Sequence, residues 1–261
     1  MQLILKVIDS AGAVKAEAVG DDELFLVYSA AYEEGDRLVV AASEPGYIGL
    51  SLDAALAPAI LFMPQSPFTF PIPFGEKRMP YAPQAFFGTL HRLHVRVAAP
   101  CEVAARRNLA FNPVDHHGND ALYPHAKANV ETRGEAQFAA RNAIDGEKAS
   151  FDHGSWPFTS WGINRDPQAA ITINFGRTVE VDEIVLYLRA DFPHDAWWNS
   201  ASVTFSDGET LRFDLVKSGA AQRFPIPARQ IEWLRLHDMV KADDPSPYPA
   251  LTQIEAWGRD L

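Results

Sequence analysis

Residues 171–189 limit the folds open to this chain more than any other stretch. In the run Ile-Thr-Ile-Asn-Phe at 171–175, apolar and polar side chains alternate, so one face of the segment is apolar, as in a half-buried β-strand. A second apolar run at 181–188 follows the sequence Gly-Arg-Thr at 176–178. Because glycine favours a tight turn, the pattern predicts two neighbouring strands of one β-sheet joined by that turn.

Short apolar runs separated by turn residues recur over the rest of the chain. The first hundred residues predict eight strands, at residues 3–8, 14–18, 24–28, 37–42, 47–52, 60–63, 68–74 and 92–98. The last sixty predict five more, at residues 202–205, 210–216, 221–224, 232–236 and 251–257. Single helical turns at 24–32 and 52–56 are the alternative for two of these regions, and residues 137–143 favour one helical turn. We therefore expect an all-β protein.

Seven of the 19 prolines lie between Pro58 and Pro83. Proline cannot donate a hydrogen bond to a neighbouring strand, so this region predicts an edge strand and an extended segment laid over the core. Phe68, Phe70 and Phe74 are interleaved with these prolines and are expected to face inward. Recognition of a partner by this segment is the alternative.

The chain has 261 residues, of which 47% are hydrophobic and 22% charged. This is a globular composition with enough length for two domains that each bury a core. All six tryptophans lie after residue 150, and Pro100-Cys101 precedes charged residues at 105–107. The shift predicts a boundary near residue 102, between a small β-sandwich-like domain (1–102) and a second domain (103–261).

Eight short motifs follow one another in the second half of the chain. They are Asn108-Leu109-Ala110, Ala143-Ile144-Asp145-Gly146, Trp161, Phe175-Gly176, Ile184-Val185, Ser206-Asp207-Gly208, Trp233-Leu234-Arg235-Leu236 and Ile254-Glu255-Ala256-Trp257-Gly258. Their order resembles the discoidin, or coagulation-factor type C, domain of the galactose-binding-like superfamily, over roughly residues 105–259. The resemblance implies a C-terminal jelly-roll sandwich that binds carbohydrate without catalysis, as carbohydrate-binding modules do, through loops at one end.

The resemblance also implies a structural Ca²⁺ at the Asp-Gly turn. The matching ligands are Asp145, Ser150 and a group of the Gln253/Glu255 pair, with Glu255 as the carboxylate; oxygen ligands of this kind suit Ca²⁺. Gln253 stands where the family has a glutamate, and Ser150 stands in place of its usual threonine. A turn closed by hydrogen bonds without a metal is the alternative.

Two loops at the end of the expected sandwich carry the groups that bind sugars, namely aromatic rings that stack on C–H faces and polar side chains that bond hydroxyls. The candidate contacts are Arg189, Asp191, His194, Asp195, Trp197 and Trp198 in one loop, His153 and Trp156 in the other, and His117 and His125 from an additional loop. Trp161 matches the family's structural tryptophan and is expected in the core. The alternative is that Trp197 and Trp198 fill the core and that Arg189 pairs with Asp191 or Asp195.

A long polar passage at 108–141 contains His116, His117 and His125. With Asp115 or Asp120 these histidines could form a metal site, although they lack the His-x-x-x-His spacing of a helical zinc site. A carbohydrate-active hydrolase or lyase that uses these His and Asp loops is therefore one alternative function. A protein-interaction module that grips a partner or a second copy of the chain through its aromatic loops is another.

Composition excludes several other classes. The net charge of −11 and a pI near 5.1 disfavour nucleic acids and anionic membranes as partners. No run approaches the roughly 18 apolar residues that a membrane-spanning helix needs. Cys101 is the single cysteine, so no internal disulfide forms, and the N-terminus lacks the pattern of a signal peptide. We expect a soluble cytoplasmic protein, with a homo-oligomer left open.

Overall fold

The computed structural model describes residues 1–152, 154, 156–190 and 196–261. The regular structure of these residues is almost entirely β-strand, with one short α-helix, α1 (Pro100–Ala104). Four 3₁₀ turns lie at Gly75–Arg78, Thr132–Gly134, Ala136–Phe138 and Ala140–Ala143. The all-β prediction is confirmed, and no helix of the described ranges is long and apolar enough to cross a membrane.

The N-terminal part contains eight strands. They are β1 (Gln2–Ile8), β2 (Val14–Asp21), β3 (Glu23–Tyr28), β4 (Arg37–Ala42), β5 (Gly46–Ser51), β6 (Ala59–Met63), β7 (Phe68–Pro71) and β8 (His91–Val97). They form two antiparallel four-stranded sheets in the orders β2-β1-β4-β7 and β3-β8-β5-β6. Each of the eight predicted strands is present, with end points that differ by a few residues, and residues 52–56 form a turn rather than a helix.

The proline-rich region forms the edges of both N-terminal sheets. β6 and β7 are each the last strand of their sheet, where a missing N–H donor is tolerated. Phe68 and Phe70 are each 1% exposed, so their rings face inward as predicted. The strand ends at Pro71, and the segment that follows extends toward the C-terminal part.

The C-terminal part is a second antiparallel unit. Its strands are β9 (Arg107–Asn108), β10 (His125–Ala128), β11 (Trp161–Gly162), β12 (Ile171–Leu188), β13 (Trp198–Phe205), β14 (Thr210–Asp214), β15 (Gln222–Lys241) and β16 (Ala250–Asp260). The order is β11-β16-β12-β15-β13-β14, with β10 paired to β12 and β9 to β16. The pairings of β12, β13, β15 and β16 shift at β-bulges, which bend long strands around the apolar core.

The tight turn predicted at residues 176–178 is wrong. β12 is continuous, and the residues on both sides of the expected turn pair with the same strand, β15, across a bulge. Gly176 has a φ of +68°, and a Cβ there would lie 2.4 Å from Cγ of Tyr123. The glycine therefore permits a bulge and the close approach of a tyrosine ring, while the chain keeps its direction. The two strands predicted at 221–224 and 232–236 are likewise one strand, β15.

The buried apolar side chains form two clusters, one between the N-terminal sheets and one inside the C-terminal unit. Val114, Ala121 and Leu122 belong to the N-terminal cluster, although they come from the long polar passage after residue 102. This passage therefore covers the N-terminal core with its apolar side chains. The division of the chain at residue 102 stays a prediction.

Arg177 joins the two parts of the molecule. Its guanidinium lies 5.2 Å from the ring centroid of Tyr47 and 5.3 Å from that of Phe62, both within the range of cation–π attraction. The same guanidinium lies 2.6 Å from Oδ1 of Asp260, which also accepts a hydrogen bond from the Tyr47 hydroxyl. Residues from both parts can therefore contribute to one site.

Candidate functional site

Trp156 lines a pocket of about 370 Å³ between the N-terminal and C-terminal parts. Its other principal lining residues are Arg78, Met79, Tyr81, Phe87 and Phe158. Trp156 is half-buried, and Phe87 is 71% exposed, so two aromatic side chains remain accessible at what we call the Trp156 pocket. The guanidinium carbon of Arg78 lies 5.6 Å from the ring centroid of Phe87.

The N-terminal wall of the Trp156 pocket is held by a buried carboxylate. One oxygen of Asp53 accepts the backbone N–H of Ala55 at 2.8 Å, and the other accepts that of Phe86 at 2.9 Å. Arg78 donates from Nη2 to the backbone oxygens of Pro83 (3.1 Å) and Ala85 (2.8 Å). These bonds close the segment around residues 78–87 on itself and fix the position of Phe87.

The C-terminal wall is the loop that carries Trp156. The N–H of Phe151 donates to the oxygen of Pro157 (2.9 Å), and that of Ser160 donates to the oxygen of Gln137 (3.2 Å). Arg189 is 3% exposed, and its Nη2 donates to the backbone oxygen of Asp152 at 2.8 Å. Arg189 therefore supports the base of this loop, and the ligand contact expected of it from the sequence stays a prediction.

The adjacent tryptophans have different environments. Trp198 is 1% exposed and belongs to the C-terminal core, so its ring offers no face to a ligand. Trp197 is half-buried, and Nζ of Lys217 lies 4.9 Å from its ring centroid. One of the two rings thus fills the core, whereas the alternative interpretation had placed both rings there. Trp161 is fully buried, as predicted from the resemblance.

Four candidate contacts fall on residues that the structure does not describe. These are His153, Asp191, His194 and Asp195. Their proposed part in binding stays a prediction that lies outside the described residues.

Asp115 organises the long polar passage. Its fully buried carboxylate accepts hydrogen bonds from Nδ2 of Asn119 (2.7 Å), from the N–H of Ala126 (2.8 Å) and from Nδ1 of His125 (2.8 Å). Bonds of this kind satisfy a buried charge that would otherwise be strongly unfavourable. His125 is therefore a partner of Asp115, and it lines a separate surface groove that does not contain Trp156.

His116 is held in one tautomer. Its Nδ1 accepts the N–H of Gly118 at 3.1 Å, so Nε2 must carry the proton that it shares with the oxygen of Thr69 at 2.9 Å. Burial lowers the pKa of His116, which favours this neutral form. Within the described ranges, no group of three His, Cys, Asp or Glu side chains could hold a metal ion. The metal site that His116, His117 and His125 could have formed is therefore not assembled.

His117 forms an exposed ion pair with Glu131. Its Nε2 lies 2.8 Å from Oε2 of Glu131, and this bond raises the pKa of the imidazole. Burial acts to raise the pKa of Glu131, but His117 and the N–H of Ala140 outweigh it, so the net shift of that pKa is downward.

We expect the His117 pair to stabilise the protein only in mildly acidic solution. The raised histidine pKa gives stability below the unperturbed value of 6.5, which disappears as the pH rises through the folded-state value. The lowered Glu131 pKa gives stability above 4.5, which disappears as the pH falls through its folded-state value. His117→Ala should therefore lower the free energy of unfolding by about 0.2–1 kcal/mol near pH 5.5, because the pair is exposed.

Urea titrations of both proteins at about pH 5.5 and pH 8 would measure this difference. An equal loss at the two pH values would show that the histidine acts through packing instead of charge.

The two carboxylates among the predicted cation ligands, those of Asp145 and Glu255, contact other groups of the protein. Asp145 Oδ1 accepts a bond from Nε2 of Gln253 at 2.7 Å, and its Oδ2 lies 3.4 Å from Nη1 of Arg141. Burial raises the pKa of Asp145 to about 6, against the opposing effect of Arg141 and these bonds. Glu255 pairs with Lys148 and accepts a bond from Nε1 of Trp257 at 2.7 Å. The third predicted ligand, Ser150, has a buried hydroxyl without a hydrogen-bond partner in the described structure.

A larger cleft of about 1000 Å³ lies beside the Trp156 pocket. Its walls include Phe74, Tyr81, His117, Arg133 and Arg141. Tyr81 lines both cavities. The sequence analysis did not identify Arg78, Tyr81 and Phe87 as site residues. The feature that could have indicated them is the aromatic Tyr-x-x-x-x-Phe-Phe-Gly run at 81–88 within a proline-rich segment.

The motifs of the C-terminal unit lie in its paired strands and in the turns between them. Asn108 Oδ1 accepts the N–H of Ala110 (3.0 Å) and that of Ala256 (3.1 Å), which ties the first motif to the last. Residues 206–208 connect β13 to β14, and residues 233–236 lie in β15. The motifs on which the resemblance rests are therefore brought together in one antiparallel β unit.

Comparison with known proteins gives one family match. A family model described as a domain of unknown function (DUF7402) matches residues 121–243. No curated protein matches the chain.

Several solved structures are similar. Chitosan-binding module 1 of a chitosanase/glucanase from Paenibacillus sp. IK-5 is 22% identical, with 58% of this chain and 99% of that chain covered and a TM-score of 0.42. The family 32 carbohydrate-binding module of C. perfringens NanJ, in complex with galactose, is 15% identical, with 51% and 91% covered and a TM-score of 0.40. The lectin domain of Lectinolysin, complexed with Lewis B antigen, is 19% identical, with 59% and 98% covered and a TM-score of 0.43. Likenesses of this size carry no functional argument.

Proposed function

We propose that the protein binds carbohydrate without catalysis and that the saccharide occupies the Trp156 pocket. The observation that carries the proposal is the pair of accessible aromatic side chains, half-buried Trp156 and exposed Phe87, on opposite parts of the chain around one pocket. Aromatic faces attract the C–H faces of pyranose rings. An aromatic side chain that is already held in position loses little conformational entropy when the sugar binds.

The polar groups at the pocket suit sugar hydroxyls. Arg78 lies on the wall with its Nη2 already fixed by two backbone oxygens, which leaves further N–H groups of the fork for a ligand oxygen. The segment therefore presents a preorganised donor beside an aromatic ring. The net charge of −11 disfavours strongly acidic polysaccharides, so a neutral or basic saccharide is the preferred class.

Binding is favoured over hydrolysis by the kind of side chain at this pocket. Glycosidases act through paired carboxyl groups that flank the scissile bond, whereas the described lining consists of aromatic, apolar and arginine side chains. The discoidin-like order of motifs supports the same class of function. A homo-oligomer and a cytoplasmic location stay predictions.

Trp156→Ala is expected to weaken saccharide binding by at least about tenfold, because losing a stacked ring removes roughly 1.5 kcal/mol or more. A glycan array on the intact protein would identify a ligand, and isothermal titration calorimetry would then compare the variants. Phe87→Ala should weaken binding by a similar factor.

Trp233→Ala provides the matched control, since Trp233 of β15 is half-buried and does not line the pocket. The proposal fails if no glycan binds the intact protein, or if Trp156→Ala and Trp233→Ala bind equally well.

A further inference from the structure

The side-chain amide of Gln253 fills a cage of oxygen atoms at the Asp-Gly turn. Its Nε2 lies 2.5 Å from the backbone oxygen of Asn142, 2.7 Å from Oδ1 of Asp145 and 3.1 Å from the backbone oxygen of Glu147. One carboxylate and two carbonyl oxygens around a point are the kind of ligand set that hard cations use. Here an N–H₂ group stands at that point.

The orientation of this amide follows from its other contact. Oε1 of Gln253 accepts the N–H of Gly146 at 3.0 Å. Exchanging the two ends of the amide would place the N–H₂ group against that N–H donor and Oε1 against three acceptors. Both contacts would be repulsive, so the hydrogen-bond network permits one orientation.

The carboxylates near the cage already have positive partners within the chain. Asp145 faces the buried guanidinium of Arg141, and Glu255 pairs with Lys148. A divalent cation in the cage would have to displace the Gln253 amide and would lie near the Arg141 charge. The residues present therefore do not fit the Ca²⁺ that the family resemblance implies.

We propose that the amide of Gln253 takes the place of the cation, so that the Asp-Gly turn is closed without metal. The same geometry implies that one change, Gln253→Glu, converts the cage into a divalent-cation site. In that variant a carboxylate oxygen would take the place of the Nε2 donor of Gln253. The cage would then consist of oxygen atoms alone, and a divalent cation at its centre would balance their negative charge. Ser150 lies in the same loop, and its buried hydroxyl has no hydrogen-bond partner among the described residues.

Thermal unfolding in excess EDTA and in CaCl₂ tests this directly. The natural protein should show the same Tm in both solutions, and calorimetric titration with CaCl₂ should show no binding. Gln253→Glu should have a lower Tm in EDTA and recover in CaCl₂. At a hundredfold excess of Ca²⁺ over Kd, the recovery should be about 5–10 °C for a chain of this size.

Two further variants separate the amide's role from general effects. Gln168→Glu places the same change on an exposed residue and should give no response to Ca²⁺. Gln253→Met keeps the approximate length but makes none of the bonds, so its Tm should fall equally in EDTA and in CaCl₂. If Gln253→Glu folds only when refolded with Ca²⁺, that result supports the inference as well.

A rise in the Tm of the natural protein on adding Ca²⁺, or a fall on adding EDTA, would overturn the proposal. So would a Gln253→Glu variant that folds but ignores Ca²⁺. None of these measurements uses a saccharide, so their outcome is independent of the function proposed for the Trp156 pocket.

Discussion

Replacing Arg141 with methionine is expected to destabilise the protein by about 3–5 kcal/mol, the range found when one partner of a buried ion pair is removed. The side chain of Arg141 is 8% exposed, and that of its partner Asp145 is 6% exposed. Methionine approximates the length of the arginine stem, so the change removes charge and hydrogen bonds more than volume. The Asp145 carboxylate would remain buried without its counter-charge.

The loss extends beyond that ion pair, because the guanidinium also organises backbone. It donates from Nε to the oxygen of Asp115 (3.1 Å) and from Nη2 to the oxygen of Pro113 (2.9 Å). Its carbon lies 4.7 Å from the ring centroid of Tyr81, in the N-terminal part. Three separate segments therefore depend on one planar group, and each oxygen would become an unsatisfied buried acceptor.

Urea denaturation would measure the change, with Arg259→Met as the matched control. Arg259 pairs with Glu180 at 2.7 Å, but its side chain is 60% exposed, so that variant should lose at most about 1 kcal/mol. Arg141→Lys should fall between them, because an ammonium group keeps the charge but lacks the planar fork. If Arg141→Met and Arg259→Met lose the same free energy, the buried network contributes no special stability.

The sequence predicted the fold best where a residue's secondary structure depends mainly on its neighbours along the chain. Short apolar runs between turn residues located all eight N-terminal strands, and the proline-rich region predicted an edge strand where the structure has two, β6 and β7. The same local reasoning failed at residues 176–178, where a glycine marks a bulge. Turn and bulge both need an unusual backbone angle, and only the pairing of both flanks with β15 distinguishes them.

The site was less predictable for a related reason. Trp156 was recognised as a candidate, whereas Tyr81 and Phe87 were not, because they lie about seventy residues away in a segment without a motif. Arg189 and Trp198 have the chemistry of sugar contacts, yet both are buried. Residue type indicates what a side chain can do, but which way it faces depends on the packing of distant strands.

Gly258→Ala is expected to be the most damaging small substitution in the C-terminal unit, with a loss of about 4 kcal/mol or more. Gly258 of β16 lies opposite Val181 of β12. A Cβ at this position would be 1.9 Å from the backbone oxygen of Glu180 and 2.9 Å from Cα of Val181. Because both contacts are with backbone, no side-chain rotation could relieve them.

The same mutation at Gly118 is the matched control. A Cβ there would meet only the ring of His116 at 3.5 Å, an ordinary contact, so Gly118→Ala should change the free energy of unfolding by no more than about 1 kcal/mol. Denaturant titrations of the two variants would show whether close strand approach makes Gly258 indispensable. Equal stability would mean that β12 and β16 can separate locally at little cost. A large difference would explain why the motif at 254–258 ends in glycine: at this position β16 can pair with β12 only if it carries no side chain.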